Sequence, residues 1–121
     1  MIYKKTWKYI LILDNTYYCT REDYYRLKAI KDFSDVSKGD LGGYVKSYHN
    51  LSQKGKCWVY DEATISDKAR VCGKAKIHRN AHVSGKAKVF GNAIVTDNAY
   101  VCGDAVVFEN SYVGGYETIC C

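Results

Sequence analysis

The chain has 121 residues, 47% hydrophobic and 26% charged, which suits one globular domain and argues against disorder. The longest apolar run near the start, Tyr9-Ile10-Leu11-Ile12-Leu13, stops at Asp14. A membrane helix needs about 20 apolar residues and a signal peptide about 7–15 before a cleavage site, so a cytoplasmic protein is expected.

The net charge of +5 hides a polarity that can guide association or attract an anionic partner. All 18 Lys and Arg lie at or before Lys88, so residues 1–88 carry a net +9 against nine acids. Residues 89–121 hold Asp97, Asp104, Glu109 and Glu117 and no base. Six cysteines (Cys19, Cys57, Cys72, Cys102, Cys120, Cys121) include no C-x-x-C pair, which removes zinc-ribbon and thioredoxin readings. Free thiols are the expectation in a reducing compartment.

In chain order, residues 1–38 predict a small antiparallel β unit. Trp7–Leu13 is strand-like, Asp14-Asn15 is a turn signal and Thr16–Thr20 reads as the return strand. Tyr24–Ile30 reads as a third strand, with Leu27 and Ala29 alternating against Arg26 and Lys28. Residues 39–58 form an irregular lead-in turn, because the apolar positions Leu41, Leu51 and Val59 are unevenly spaced.

From residue 59 to 121 the pattern changes to an internal repeat. Every sixth residue is Val or Ile: Val59, Ile65, Val71, Ile77, Val83, Val89, Val95, Val101, Val107, Val113, Ile119. Val and Ile together are 19 of 121 residues, so eleven consecutive hits by chance have odds of about one in a billion. A second series, Ala63 through Ala105 at the same period and then Ser111, breaks at Glu117. Period six fits neither an amphipathic helix nor an alternating strand. It fits a coil of three flat six-residue edges, with the β-branched residue pointing inward and Ala filling a tight corner. Gly, Asp or Asn occupies the bend, where positive φ is tolerated. The prediction is an all-β parallel β-helix whose open N-terminal end is plugged by the antiparallel unit. At the C-terminus the sequence stops on the repeat itself, at Ile119-Cys120-Cys121, with no matching plug.

The pattern aliphatic-x-(Gly/Asp)-x-Ala-x over residues 59–118 resembles the hexapeptide repeat of left-handed β-helix proteins. The resemblance implies a left-handed coil, against the usual crossover rule. The segments Gly39–Val45 and Asn50–Tyr60 are similar to those of a phage and mobile-element subgroup whose members usually carry no assigned activity. That resemblance implies a phage protein, with host-defence inhibition by surface occlusion as a plausible role.

Stacking in 18-residue steps maps the surface, with neighbours about 4.8 Å apart. Asp61, Arg79 and Asp97 form an alternating ladder of weak surface pairs. Lys68 stacks on Lys86 and Arg70 on Lys88, with Lys74 and Lys76 nearby; these six are the candidate anion or partner site, against the simpler reading of a solvated face. No recognised nucleic-acid motif is present. Later, Phe90 stacks on Phe108, Lys88 on Val106 and Ile94 on Tyr112; with Ile119 these apolar positions are the candidate oligomer interface. His78 and His82 are the weak catalytic candidates. They flank a corner and point from different faces, so one subunit cannot close both on one metal ion. Related acyltransferases place a His and an acyl-coenzyme A between subunits, but usually with a long loop interrupting the coil, which this chain lacks. Cys102 and Cys120 lie one turn apart, within disulfide reach, and are expected to stack as thiols.

The reading is a non-enzymatic, homo-oligomeric binding or scaffold protein needing no cofactor and no metal, with a homotrimer preferred over an end-to-end dimer. Its alternatives are a sequesterer of an anionic, nucleotide-type ligand and an acyltransferase-like enzyme.

Overall fold

The computed structural model describes residues 6–13 and 24–120. Three strands form its N-terminal end: β1 (Tyr9–Ile12), β2 (Tyr25–Ala29) and β3 (Leu41–Val45). Eleven short strands follow: β4 (Trp58–Val59), β5 (Thr64–Ile65), β6 (Arg70–Val71), β7 (Lys76–Ile77), β8 (His82–Val83), β9 (Lys88–Val89), β10 (Ile94–Val95), β11 (Tyr100–Cys102), β12 (Val106–Val107), β13 (Tyr112–Val113) and β14 (Thr118–Cys120).

These strands build three walls. The first runs β1-β2-β3-β5-β8-β11-β14, the second β6-β9-β12 and the third β4-β7-β10-β13. Within the repeat all pairs are parallel and in 18-residue register, as in Ile65↔Val83 and Val83↔Val101. Each coil donates backbone N–H groups to the next, for example Thr64 to Ala81 O and His82 to Ala99 O, both at 3.0 Å. The fold is the all-β, left-handed parallel β-helix with an antiparallel N-terminal cap. No helix among the described residues is long and apolar enough to cross a membrane.

The core is the inward series itself. Every member from Val59 to Val113 is buried, and so is every Ala from Ala63 to Ala105. Burying each Val or Ile contributes about 1.5–3 kcal/mol, and the stiff β-branched side chains stack without loss of rotamer freedom.

The lead-in turn differs from expectation in one respect. Leu41 is half exposed, and Val45 takes the inward place, in register with Ile65. Leu51 follows six residues later and bridges Val71, so this coil spans 20 residues where the later ones span 18. The two extra residues fall between Leu51 and Val59, where the backbone N–H groups of Lys56 and Cys57 both reach Gly73 O at 3.0 Å.

In the cap, β1 pairs directly with β2, Tyr9 opposite Ala29, and β2 pairs with β3. The expected return strand Thr16–Thr20 lies outside the described residues. The cap sheet and the first wall are therefore one continuous sheet, so on that wall the first coil's edge is paired rather than exposed. Tyr9 closes the open end of the core: it is buried, and its hydroxyl donates to Leu51 O at 2.6 Å. Gln53 completes the closure, accepting from Lys8 N and Tyr9 N and donating to Tyr9 O at 3.0 Å.

Candidate functional site

The corners carry the first chemistry. Non-glycine residues adopt positive φ there, including Asp61, Asp67, Arg79 and Asp97. Three corner aspartates reach up the stack to a backbone N–H of the next coil: Asp61 to Arg79 at 3.1 Å, Asp67 to Gly85 at 3.0 Å and Asp97 to Gly115 at 2.8 Å. These bonds satisfy donors that the parallel ladder leaves over. The expected ladder of ion pairs is present only in the Arg79–Asp97 contact at 3.5 Å, between exposed side chains, where such a pair is worth little.

The two histidines stand on different walls. His78 follows β7 on the third wall, and its ring stacks on Tyr60 with centroids 4.2 Å apart. The Tyr60 hydroxyl donates to Asp35 Oδ1 at 2.7 Å, from a turn of the cap that folds over this wall. Burial, then the adjoining Asp35 carboxylate, pushes the Tyr60 hydroxyl far above its ordinary range. That hydrogen bond, with Lys76 and His78 nearby, holds the Asp35 carboxyl below its usual value. Burial lowers His78, against the opposing pull of Asp61, so its ring favours the neutral form. His82 lies in β8 on the first wall, with Nδ1 against the Thr64 hydroxyl and its ring stacked on Tyr100. No group of three or more His, Cys, Asp or Glu among the described residues is arranged to hold a metal ion.

The basic residues divide between two places. Arg70 and Lys88 are in register on the second wall, with Lys68 and Lys86 at the corner before it. Arg70 Nη1 is tied to His49 O at 2.8 Å. Lys74 and Lys76 instead border a cleft of about 260 Å³ with Ser34, Lys56, Asn92 and Ile94. The six cations thus form two groups rather than one patch.

The outward apolar columns meet as the register requires. Phe90 and Phe108 stack at 5.6 Å beyond β9 and β12, and Val106 beside them is 50% exposed. Ile94 pairs with Tyr112, which is 64% exposed, on the adjoining wall. Ile119 packs, partly buried, on the end of the core. Cys102 and Cys120 are in register, with Cα atoms 4.5 Å apart and their sulfurs in contact, which is within disulfide reach. Cys57 and Cys72 are free, and Cys121 lies outside the described residues.

Sequence reasoning missed the cap's own chemistry. Lys8 is 3% exposed, and its ammonium donates to Gly55 O at 3.2 Å, Cys57 O at 2.7 Å and Cys57 Sγ at 3.3 Å. It also lies 5.1 Å from the Phe33 ring centroid. Burial lowers the lysine and raises the Cys57 thiol. Strand alternation gave no signal here, because Lys8 and Tyr9 are adjacent and both buried.

The arrangement defines a β-helix whose inner positions fix the fold and whose outer columns present stacked chemistry. No protein-family profile matches the chain. A curated protein, the "Uncharacterized acetyltransferase YdcK" of Escherichia coli (strain K12), is 40% identical to it over 52 residues. That similarity covers 37% of this chain and 16% of the relative's length.

Proposed function

We propose that this chain is a non-enzymatic binding protein that self-associates laterally and acts by presenting surface. The observation that carries the reading is the stacked Phe90/Phe108 pair beside exposed Val106. The same wall one and two coils earlier presents Lys88, Arg70 and Cys72 outward. Apolar side chains at outward positions contribute nothing to this core, and contiguous ones are favourable only when covered. Three protomers packed side by side cover them. The entry of such a protein into a phage or mobile-element setting, where it would occlude a host defence factor, is supported by the sequence resemblance of its lead-in segment.

Light scattering tests the assembly. The wild type should be oligomeric at tens of micromolar. Phe90→Lys with Phe108→Lys should return a lateral trimer to monomer by placing six uncompensated charges in its seam, with the circular dichroism spectrum unchanged. An end-to-end dimer would be barely disturbed by the pair, and a monomeric wild type would refute self-association altogether.

A second reading, an acyltransferase-like enzyme, is favoured by the partial similarity to the acetyltransferase named above. Its candidates are His78, kept neutral by burial, and His82, oriented by Thr64. Against it, the coils from β4 to β14 run without an inserted loop to build an acceptor pocket. Binding of acetyl-coenzyme A, lost in His78→Ala or His82→Ala, would favour the enzyme; thermal stability indifferent to coenzyme A favours the binding protein.

A further inference from the structure

We propose that the cap end of the molecule holds a binding site for a nucleoside monophosphate, a flat aromatic ring carrying a phosphate. The site is a hollow of about 610 Å³ lined by Trp7, Lys8, Lys31, Phe33, Gln53 and Lys54, with Thr6 and Gly55 at its margin. Small-molecule sites fall in the range of about 300–1,000 Å³, mostly apolar with a few placed polar groups, and this hollow has both properties.

Its chemistry selects the ligand. Trp7 and Phe33 give it two aromatic side chains: Trp7 is in ring contact with Tyr48 at 5.0 Å and Phe33 with Trp58 at 5.2 Å, and the Lys8 ammonium lies 5.1 Å from the Phe33 centroid. Preset rings of this kind take up a planar heterocycle by offset stacking. Among the described residues, every charged group in the lining is a lysine, which repels a cation and attracts an anion. Lys8 has its three donors committed to Gly55 O, Cys57 O and Cys57 Sγ, so it supplies field rather than contact. Lys31 and Lys54 are exposed and form no ion pair among the described residues, leaving their ammonium groups to meet a phosphate. Gln53 is likewise occupied with the β1 backbone, so it shapes the wall without reading the base.

The site is separate from the Phe90/Phe108 surface and from the Lys86/Lys88 band, so its test is independent of the assembly proposed above. The chain has two tryptophans, of which Trp58 is 2% exposed and Trp7 lines the hollow. Adenosine monophosphate is the probe, followed by tryptophan fluorescence and calorimetry. It should quench the fluorescence saturably at one site, and Trp7→Phe should abolish the quenching while the calorimetric binding persists. Lys31→Ser with Lys54→Ser, both at exposed positions, should weaken binding about tenfold or more with the melting temperature unchanged. Lys86→Ser with Lys88→Ser should leave the affinity as it was. Adenosine and inorganic phosphate should each bind more weakly than the monophosphate. The proposal is overturned by the absence of saturable heat and quenching into the millimolar range, by undiminished affinity in the Lys31/Lys54 variant, or by phosphate binding as tightly as the nucleotide.

Discussion

The corner geometry makes a quantitative prediction through two glycines with nearly the same backbone. Gly85 has φ +66° and Gly115 φ +60°. Alanine at either place incurs the left-handed penalty of about 1–2 kcal/mol, partly offset by about 0.4–1 kcal/mol from a stiffer unfolded chain. The neighbourhoods differ. A Cβ on Gly85 would lie 2.8 Å from Gly103 N and 2.9 Å from Gly103 O, backbone atoms of the next coil, whereas a Cβ on Gly115 meets nothing within 4 Å. Displacing packed backbone adds about 1–3 kcal/mol. For a chain of this size each kcal/mol moves the melting temperature by about 3–5 °C. Gly85→Ala should therefore melt at least about 3 °C below Gly115→Ala, measured by circular dichroism at one protein concentration. A sharper comparison is Gly85→Asp. Asp67, one coil earlier at the same corner, accepts from the Gly85 N–H at 3.0 Å, and an aspartate at 85 can do the same to Gly103. The larger residue should thus be less destabilising than alanine. Equal melting of Gly85→Ala and Gly115→Ala, or Asp worse than Ala at 85, would refute the stacked-corner account.

Val83→Asp should unfold the coil, since it buries an unpaired charge between Ile65 and Val101 and so costs several kcal/mol; an unchanged thermal melt would contradict the inward assignment. Because burial depresses His78 below its ordinary 6.5, the unfolded chain binds the proton more readily. The stability His78 contributes is then present above pH 6.5 and lost as pH falls through the folded value, a slope that His78→Gln should flatten and a proton NMR titration should locate. Changing Lys68, Arg70, Lys86 and Lys88 to Ser should preserve the fold, cost about 1 kcal/mol at most through the Arg70–His49 bond, and reduce the salt dependence of binding to any anionic partner. Unchanged affinity for that partner at low salt would make the band a solvated face.

Much of the fold was legible because an 18-residue period turns sequence arithmetic into space. Once Val59 to Val113 point inward, the register dictates that Arg70 meets Lys88 and Ile94 meets Tyr112, and it does. The places that escaped are those where the period fails. Two extra residues between Leu51 and Val59 shift the lead-in coil, so that Val45 rather than Leu41 faces the core. The Asp35 turn and the Lys8 ammonium reach the helix across 25 and 49 residues of chain, through contacts no local pattern encodes. The corner aspartates carry a signal with two meanings. In sequence, a charge above a charge points to ion pairs, whereas in the structure the carboxylate also accepts from a backbone N–H of the next coil.

Because the inward residues and corner bonds hold each coil to the next, the outward columns are free to vary without cost to the fold. An apolar outward column is then informative in a way that an apolar residue in an ordinary core is not. Phe108, 43% exposed, and Val106, 50% exposed, leave a large part of their area to water, at about 25 cal/mol for each Å² that a neighbour would otherwise cover. In the lateral assembly we propose, Lys88 lies in the same seam, in register with Val106, and its charge is buried only at a cost unless an acid of the adjoining protomer meets it. The acids of the later coils, Asp104 and Glu109, stand at the two corners that bound this wall. In that proposed assembly, a rotation bringing one protomer's corner against the next protomer's wall would set carboxylate against ammonium while closing the phenylalanine stack. On that proposal, the charge polarity along the sequence and the apolar column would describe one contact rather than two unrelated features.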